Sequence, residues 1–236
     1  MTINEPTTTY LKHEVVLLGD SIFDNAPYVN QGESVSEQLQ NLMDNDNLGE
    51  HKPQVNLLAV DGNCLHHVEE QLRKLTIDPV THYFPFVSCG GNDLLYLNLA
   101  GLMDEPIENV GEALDTLFHI REKFRSTYQA MLDTMESKFA NHPFCDDITL
   151  CTVYDKIPTL SNQEKCALGL FNEVILHEAK TRNLSVLDLR VLCDQPEDYA
   201  PVSPIEPSKY GAEKIAKQIY RDTNISQNNK KDMHSI

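Results

Sequence analysis

Three short stretches of the chain hold residue types that acyl transfer needs. Gly19-Asp20-Ser21 supplies a hydroxyl, Asp61-Gly62 a backbone N–H with no side chain in its way, and Gly90-Gly91-Asn92-Asp93 a side-chain amide. A serine hydroxyl can attack a carbonyl carbon. Two or three N–H donors aimed at the developing oxyanion then stabilise the transition state, one donor contributing about 3 kcal/mol. Taken singly, each stretch is also an ordinary turn, because Gly, Asp, Asn and Ser are the residues that turns favour. Their meaning depends on whether the chain brings them together.

The elements that precede them indicate that it does. Val15-Val16-Leu17-Leu18 is a continuous apolar run of the kind that forms a strand buried on both faces, and it ends at Gly19. Residues 54–60 (QVNLLAV) and 82–89 (HYFPFVSC) read as second and third strands, ending at Asp61-Gly62 and Gly90-Gly91, with Pro85 an unusual residue inside the third. Residues 147–153 and 184–189 read as a fourth and a fifth. Between them the apolar period changes to that of helices. Val35, Leu39 and Leu42-Met43 mark one, residues 64–75 a second, 106–141 a long one with Gly111 as its weak point, 162–182 another, and 209–221 the last. A proline- and acid-rich loop is expected over 193–207. Strands alternating with helices specify an α/β fold with a parallel sheet between two helical layers. With no repeat and no linker, one domain is expected over residues 14–221, with a polar lead-in at 1–13 and a disordered polar tail at 222–236. In a parallel sheet the three strand ends share one edge, so Ser21, Gly62 and Asn92 converge on one crevice.

These blocks resemble the SGNH/GDSL hydrolase family of esterases and acylhydrolases. The resemblance runs from about residue 14 to 221. The strings GDSIFDN, LAVDG and SCGGND and the later DYA…PIEPS…KIA are similar to one bacterial branch of it. It implies a flavodoxin-like α/β/α sandwich with a five-stranded parallel sheet of order 2-1-3-4-5. It also implies Ser21 as nucleophile, and an oxyanion hole made by the Ser21 and Gly62 N–H groups and the Asn92 amide. No cofactor and no metal are implied. The sequence departs from the family in one place. Where an Asp-x-x-His block is normally found shortly before the last helix, alignment on Pro207 and Gly211 puts Ser203 at the aspartate and Glu206 at the histidine. The nearest upstream acid is Asp198.

Three accounts of the missing base are open. Glu206 could accept the Ser21 proton itself, since burial can raise a glutamate towards a useful pKa. A histidine could arrive from elsewhere, His66 and His67 lying just after Gly62. Or the site could bind a ligand without hydrolysing it. Glu206 also has a purely structural reading as an acid near the positive end of the last helix, with Ser208 as its N-cap. Around the nucleophile, Asp20 and Asp93 are candidates for substrate contact, with turn-bracing through Asx hydrogen bonds the favoured role of each. Asp24 and Asn25 are candidates for lining the pocket or for capping the loop that follows. The loop from Asp24 to Gly32 and the segment from Leu94 to Glu105 are expected to shape the pocket.

Charge narrows the partners. With 19 Lys+Arg against 36 Asp+Glu, a net charge of −17, the chain lacks the basic surface that nucleic acid or an anionic membrane requires. No apolar run approaches a membrane span, the N-terminus has no signal-peptide pattern, and the six cysteines show no C-x-x-C pair. Reduced thiols and a cytoplasmic location are the default expectation. The partner expected is a small-molecule ester. The activity expected is ester hydrolysis through an acyl-enzyme, and the rival is a binding domain that kept the fold and lost the triad.

Overall fold

A computed structural model of the chain describes residues 12–45, 52–96, 106–223 and 225. β1 (Lys12–Gly19) explains why the apolar run is continuous rather than alternating. Val15, Val16, Leu17 and Leu18 are all fully buried, because helices cover both faces of the sheet. β1 pairs in parallel with β2 (Gln54–Leu57) on one side and β3 (Thr81–Ser88) on the other. β4 (Thr149–Cys151) and β5 (Ser185–Leu187) extend the sheet beyond β3. Among the described residues this gives one five-stranded parallel sheet of order β2-β1-β3-β4-β5.

Two apolar clusters fill the two sides. On one, Val68 and Leu72 of α2 (Val68–Lys74), Phe124 to Phe139 of a thirty-residue helix, and Phe171 and Val174 of a third helix pack on Val16, Leu18 and Val87. The long helix spans Val110–Phe139 and the third Asn162–Arg182; with α3 (Gly91–Tyr96) ahead of them, they are α4 and α5. On the other side, Val35, Leu39 and Met43 of α1 (Val35–Asp44) and Ala212, Ile215 and Ile219 of α7 (Lys209–Asp222) pack on Val15, Leu17 and Phe84. A one-turn helix, α6, occupies Leu189–Leu192. The helices start where their caps put them. Ser34 and Ser161 form capping boxes with Glu37 and Glu164, and the Ser208 hydroxyl accepts from the N–H groups of Tyr210 and Gly211.

The structure corrects several boundaries. β1 reaches back into the expected lead-in at Lys12, and the long helix begins at Val110, capped by Asn109, rather than at 106. The helix expected over 64–75 opens as a 3-10 turn, Leu65–His67, before α2. Residues 58–60 leave the ladder but stay beside β1, Leu58 and Ala59 donating to the Leu17 carbonyl at 2.9 Å. Pro85 sits on an interior strand, which is tolerated because β4 first pairs at Phe86, one residue past it. The loop expected over 193–207 instead contains a 3-10 turn (Pro196–Asp198) and an antiparallel ribbon, β6 (Tyr199–Ala200) and β7 (Ser203–Pro207). All six cysteines are unpaired. No helix of the described residues is long and apolar enough to cross a membrane. Residues 1–11 of the lead-in, 97–105 of the expected pocket segment, and residues 224 and 226–236 of the tail lie outside the described residues.

Candidate active site

β1 ends where it does because Gly19 cannot carry a side chain. Its φ is +119°, and a Cβ there would sit 1.8 Å from the Ser88 carbonyl oxygen at the end of β3. The buried Gln71 amide holds Gly19 at both polar atoms, Oε1 accepting its N–H at 2.8 Å and Nε2 donating to its carbonyl at 2.7 Å. The Asp20 N–H donates to Ser88 O at 3.0 Å, which sets the next residue, Ser21, on the sheet edge, 6% exposed. Asp20 itself is buried, and its Oδ1 accepts the Ile22 N–H at 3.1 Å, an Asx brace.

The loops that carry the candidate donors are braced by neighbouring residues. Gly62 adopts φ +78°, the left-handed region that favours glycine. Its loop is fixed from two sides. Asp24 Oδ2 accepts the Asp61 N–H at 2.9 Å, and the Tyr28 hydroxyl donates to Asp61 Oδ2 at 2.7 Å. From the end of β3, Asn92 Nδ2 donates to the Asn63 carbonyl at 2.9 Å. That bond uses one amide proton and leaves the second for another acceptor. The N–H groups of Ser21 and Gly62 make no hydrogen bond to any described residue. Asp93 Oδ2 accepts the Leu65 N–H at 3.0 Å and so anchors the 3-10 turn after Gly62.

Glu206 arrives from the opposite side on β7. The carbonyls on either side of it are both gripped. Tyr154 Oη donates to Ile205 O at 2.5 Å, and Asn25 Nδ2 donates to Pro207 O at 3.1 Å. Glu206 is 3% exposed. Burial pushes its carboxyl above the ordinary glutamate range, the Ser21 hydroxyl nearby pulls it back, and the charge of Asp61 pushes it up again. Its Oε2 is buried with no partner among the described residues.

Asp20, Ser21, Asn92 and Glu206 line one cavity of about 140 Å³ whose other walls include Ile22, Leu94, Val153, Ile157, Leu160 and Leu168. The structure therefore brings together four of the eight residues singled out in the sequence. Gly62, Asp24, Asn25 and Asp93 do not line the cavity. Asp24 and Asp93 brace the Gly62 loop, and the fully buried Asn25 spends its carbonyl on the Val35 N–H at 2.9 Å and its amide on Pro207. His66 and His67 do not line it either. His67 Nδ1 accepts the Cys64 N–H at 2.9 Å, and no histidine of the described residues reaches the cavity wall. Asp198, the nearest upstream acid, is buried against Lys214 Nζ at 2.7 Å. Sequence reading missed Gln71 and Tyr154, whose roles come from partners 52 and 51 residues away and carry no local signal. No group of three or more His, Cys, Asp or Glu side chains among the described residues is arranged to hold a metal ion.

No protein-family model matches the sequence, and comparison with curated proteins finds no relative. Comparison with solved structures does. An extracellular lipase from Streptomyces rimosus superposes with a TM-score of 0.61 at 15% identity, over 89% of this chain and 99% of that one. A lipolytic protein of the G-D-S-L family from Veillonella parvula gives 0.58 at 14% identity, over 87% and 95%. A psychrotrophic esterase from Pseudoalteromonas sp., in a structure inhibited by monoethylphosphonate, gives 0.59 at 14% identity, over 91% and 98%. The sheet order, the two helical layers and these superpositions together give the chain the fold of the GDSL lipolytic proteins.

Proposed function

We propose that the chain is an SGNH/GDSL-type serine hydrolase that cleaves a small ester, with Ser21 as nucleophile and Glu206 as general base. The observation that carries this reading is that Ser21 and a buried carboxylate, Glu206, line one cavity together with Asn92. The names of the structures that share the fold support the reaction class.

The steps balance with these residues alone. Ser21 Oγ attacks the ester carbonyl as Glu206 takes the hydroxyl proton, and the Ser21 and Gly62 N–H groups with the Asn92 amide hold the oxyanion. The carbon–oxygen bond to the alcohol breaks, and the proton passes from Glu206 to the departing alkoxide. Water then attacks the acyl-serine, giving one proton to Glu206. Collapse of that intermediate releases the carboxylic acid and returns the proton to Ser21 Oγ. Asp24, Asp93 and Asn25 are assigned as positioning residues rather than substrate contacts.

The test is intact mass after treatment with a fluorophosphonate, on wild type, Ser21→Ala and Glu206→Gln. One adduct is expected on wild type and none on Ser21→Ala. Labelling of Glu206→Gln should be slower by about 10²-fold or more, the usual contribution of a general base. Because the Glu206 pKa is raised, the wild-type rate should climb with pH above the ordinary glutamate range. A Glu206→Gln protein labelled at full rate would remove Glu206 from the mechanism. A wild type that takes no adduct at any pH would favour the binding-domain reading.

A further inference from the structure

We infer that the acyl half of the substrate is a short, uncharged aliphatic chain of about four to six carbons, held between Val153 and Leu168. This rests on the ester reading above and adds the substrate class to it. The cavity measures about 140 Å³. A protein cavity of about 150 Å³ holds one benzene, so the space here matches roughly six carbon atoms. Beyond the reacting groups and the Ser88 hydroxyl the wall is mostly hydrocarbon, and most of its remaining polar side chains are already committed. The Thr152 hydroxyl donates to Asp188 Oδ1 at 2.8 Å and accepts the Leu189 N–H at 2.9 Å. The Tyr154 hydroxyl is spent on Ile205 O, and Glu164 Oε2 on the Ser161 N–H at 2.8 Å. An anionic acyl group would meet the Glu206 carboxylate, and the apolar wall gives a polar chain little to bond. The acyl group belongs in this space because it stays bonded to Ser21 after the alcohol has left.

The wall can be altered without moving its backbone. Asn172 holds Val153 at both polar atoms, Oδ1 accepting its N–H and Nδ2 donating to its carbonyl, each at 2.8 Å. Val153→Phe therefore fills the cavity from a fixed position. Leu168, buried on α5, is the complementary site, and Leu168→Ala enlarges the space.

The experiment measures kcat/KM for p-nitrophenyl esters from acetyl to decanoyl with wild type and both variants, and for butanoate esters of several alcohols. On wild type, kcat/KM should rise about fourfold per methylene up to roughly hexanoyl. It should then fall at least about tenfold by decanoyl, where the chain no longer fits. Val153→Phe should move the optimum to acetyl or propanoyl, and Leu168→Ala should move it about two carbons longer. Changing the alcohol should leave the acyl optimum in place. A profile still rising at decanoyl, or an optimum unmoved in whichever variants fold, overturns the inference while leaving the esterase reading intact. A wild type that hydrolyses no ester and takes no phosphonate adduct overturns both.

Discussion

Asp20 is the residue whose state decides how the site responds to pH. Its complete burial pushes its carboxyl up to about 8, the Ile22 N–H opposes this, and the charges of Glu206 and Asp93 add to it. At neutral pH it is a neutral acid, so Glu206 confronts Ser21 without a second negative charge beside it. Above about pH 8 that charge appears next to the developing oxyanion. The expected pH–rate profile is therefore a bell, rising as Glu206 ionises and falling near pH 8 as Asp20 does. Asp20→Asn keeps an acceptor for the Ile22 N–H and should abolish the alkaline limb. Stability should follow the same group. Between the unfolded carboxyl pKa of about 3.9 and the native value, only the folded state holds the proton, so stability falls as pH rises through that window. Denaturant melts should show Asp20→Asn more stable than wild type at pH 9 by on the order of a few kcal/mol, and little different at pH 4. Equal stability at both values would mean that Asp20 is ionised in the native protein. The sequence made the turn-brace role of Asp20 legible through its Asx position. It could not show the burial that shifts the group, because that burial comes from elements far away in sequence.

At the scale of elements, the five strands were legible as apolar runs followed by glycine or aspartate, while their order came only from the resemblance to the SGNH/GDSL family. The ribbon that delivers Glu206 was not. β6 has two residues and β7 five, with prolines at 201, 204 and 207, too little for a period-2 pattern to declare itself. What holds the ribbon in place is equally non-local. Asn25, from the loop after the nucleophile, ties Pro207 O of β7 to the Val35 N–H that opens α1. Replacing it by alanine leaves a buried carbonyl and a buried N–H unpaired, at about 1–3 kcal/mol each. Asn25→Ala should lower unfolding free energy by about 2–6 kcal/mol in urea melts and slow phosphonate labelling of Ser21, because Pro207 is covalently next to Glu206. Asn25→Asp preserves the acceptor for Val35 but points an oxygen at the Pro207 carbonyl, so it should not recover the loss. A normal labelling rate in both variants would detach the positioning of Glu206 from this bridge.

For the whole molecule, the dominant quantity is charge. Part of the net −17 sits close to Ser21. Asp61 repels Glu206, Glu206 and Asp93 repel Asp20, and Tyr28 feels Glu206, Asp61 and Asp24 together. A cleft lined by one sign of charge attracts counter-charged substrates and repels like-charged ones, over a range set by the Debye length. That length is about 10 Å at 0.1 M salt and about 3 Å at 1 M, so the preference must be salt-dependent. Two butanoate esters of similar size, one with a quaternary ammonium alcohol and one with a sulfonate alcohol, isolate this term, since they leave the same acyl-enzyme. At about 10 mM ionic strength the cationic ester should have the higher kcat/KM by about tenfold or more, and the ratio should shrink towards unity as salt approaches 1 M. Asp61→Asn should narrow the gap at low salt while leaving the acyl-chain optimum where it was, because Asp61 touches the Gly62 loop and not the cavity wall. If the two esters react alike at low salt, the field at the mouth of the site is not set by these carboxylates, and the acidic balance of the chain serves its surface rather than its chemistry.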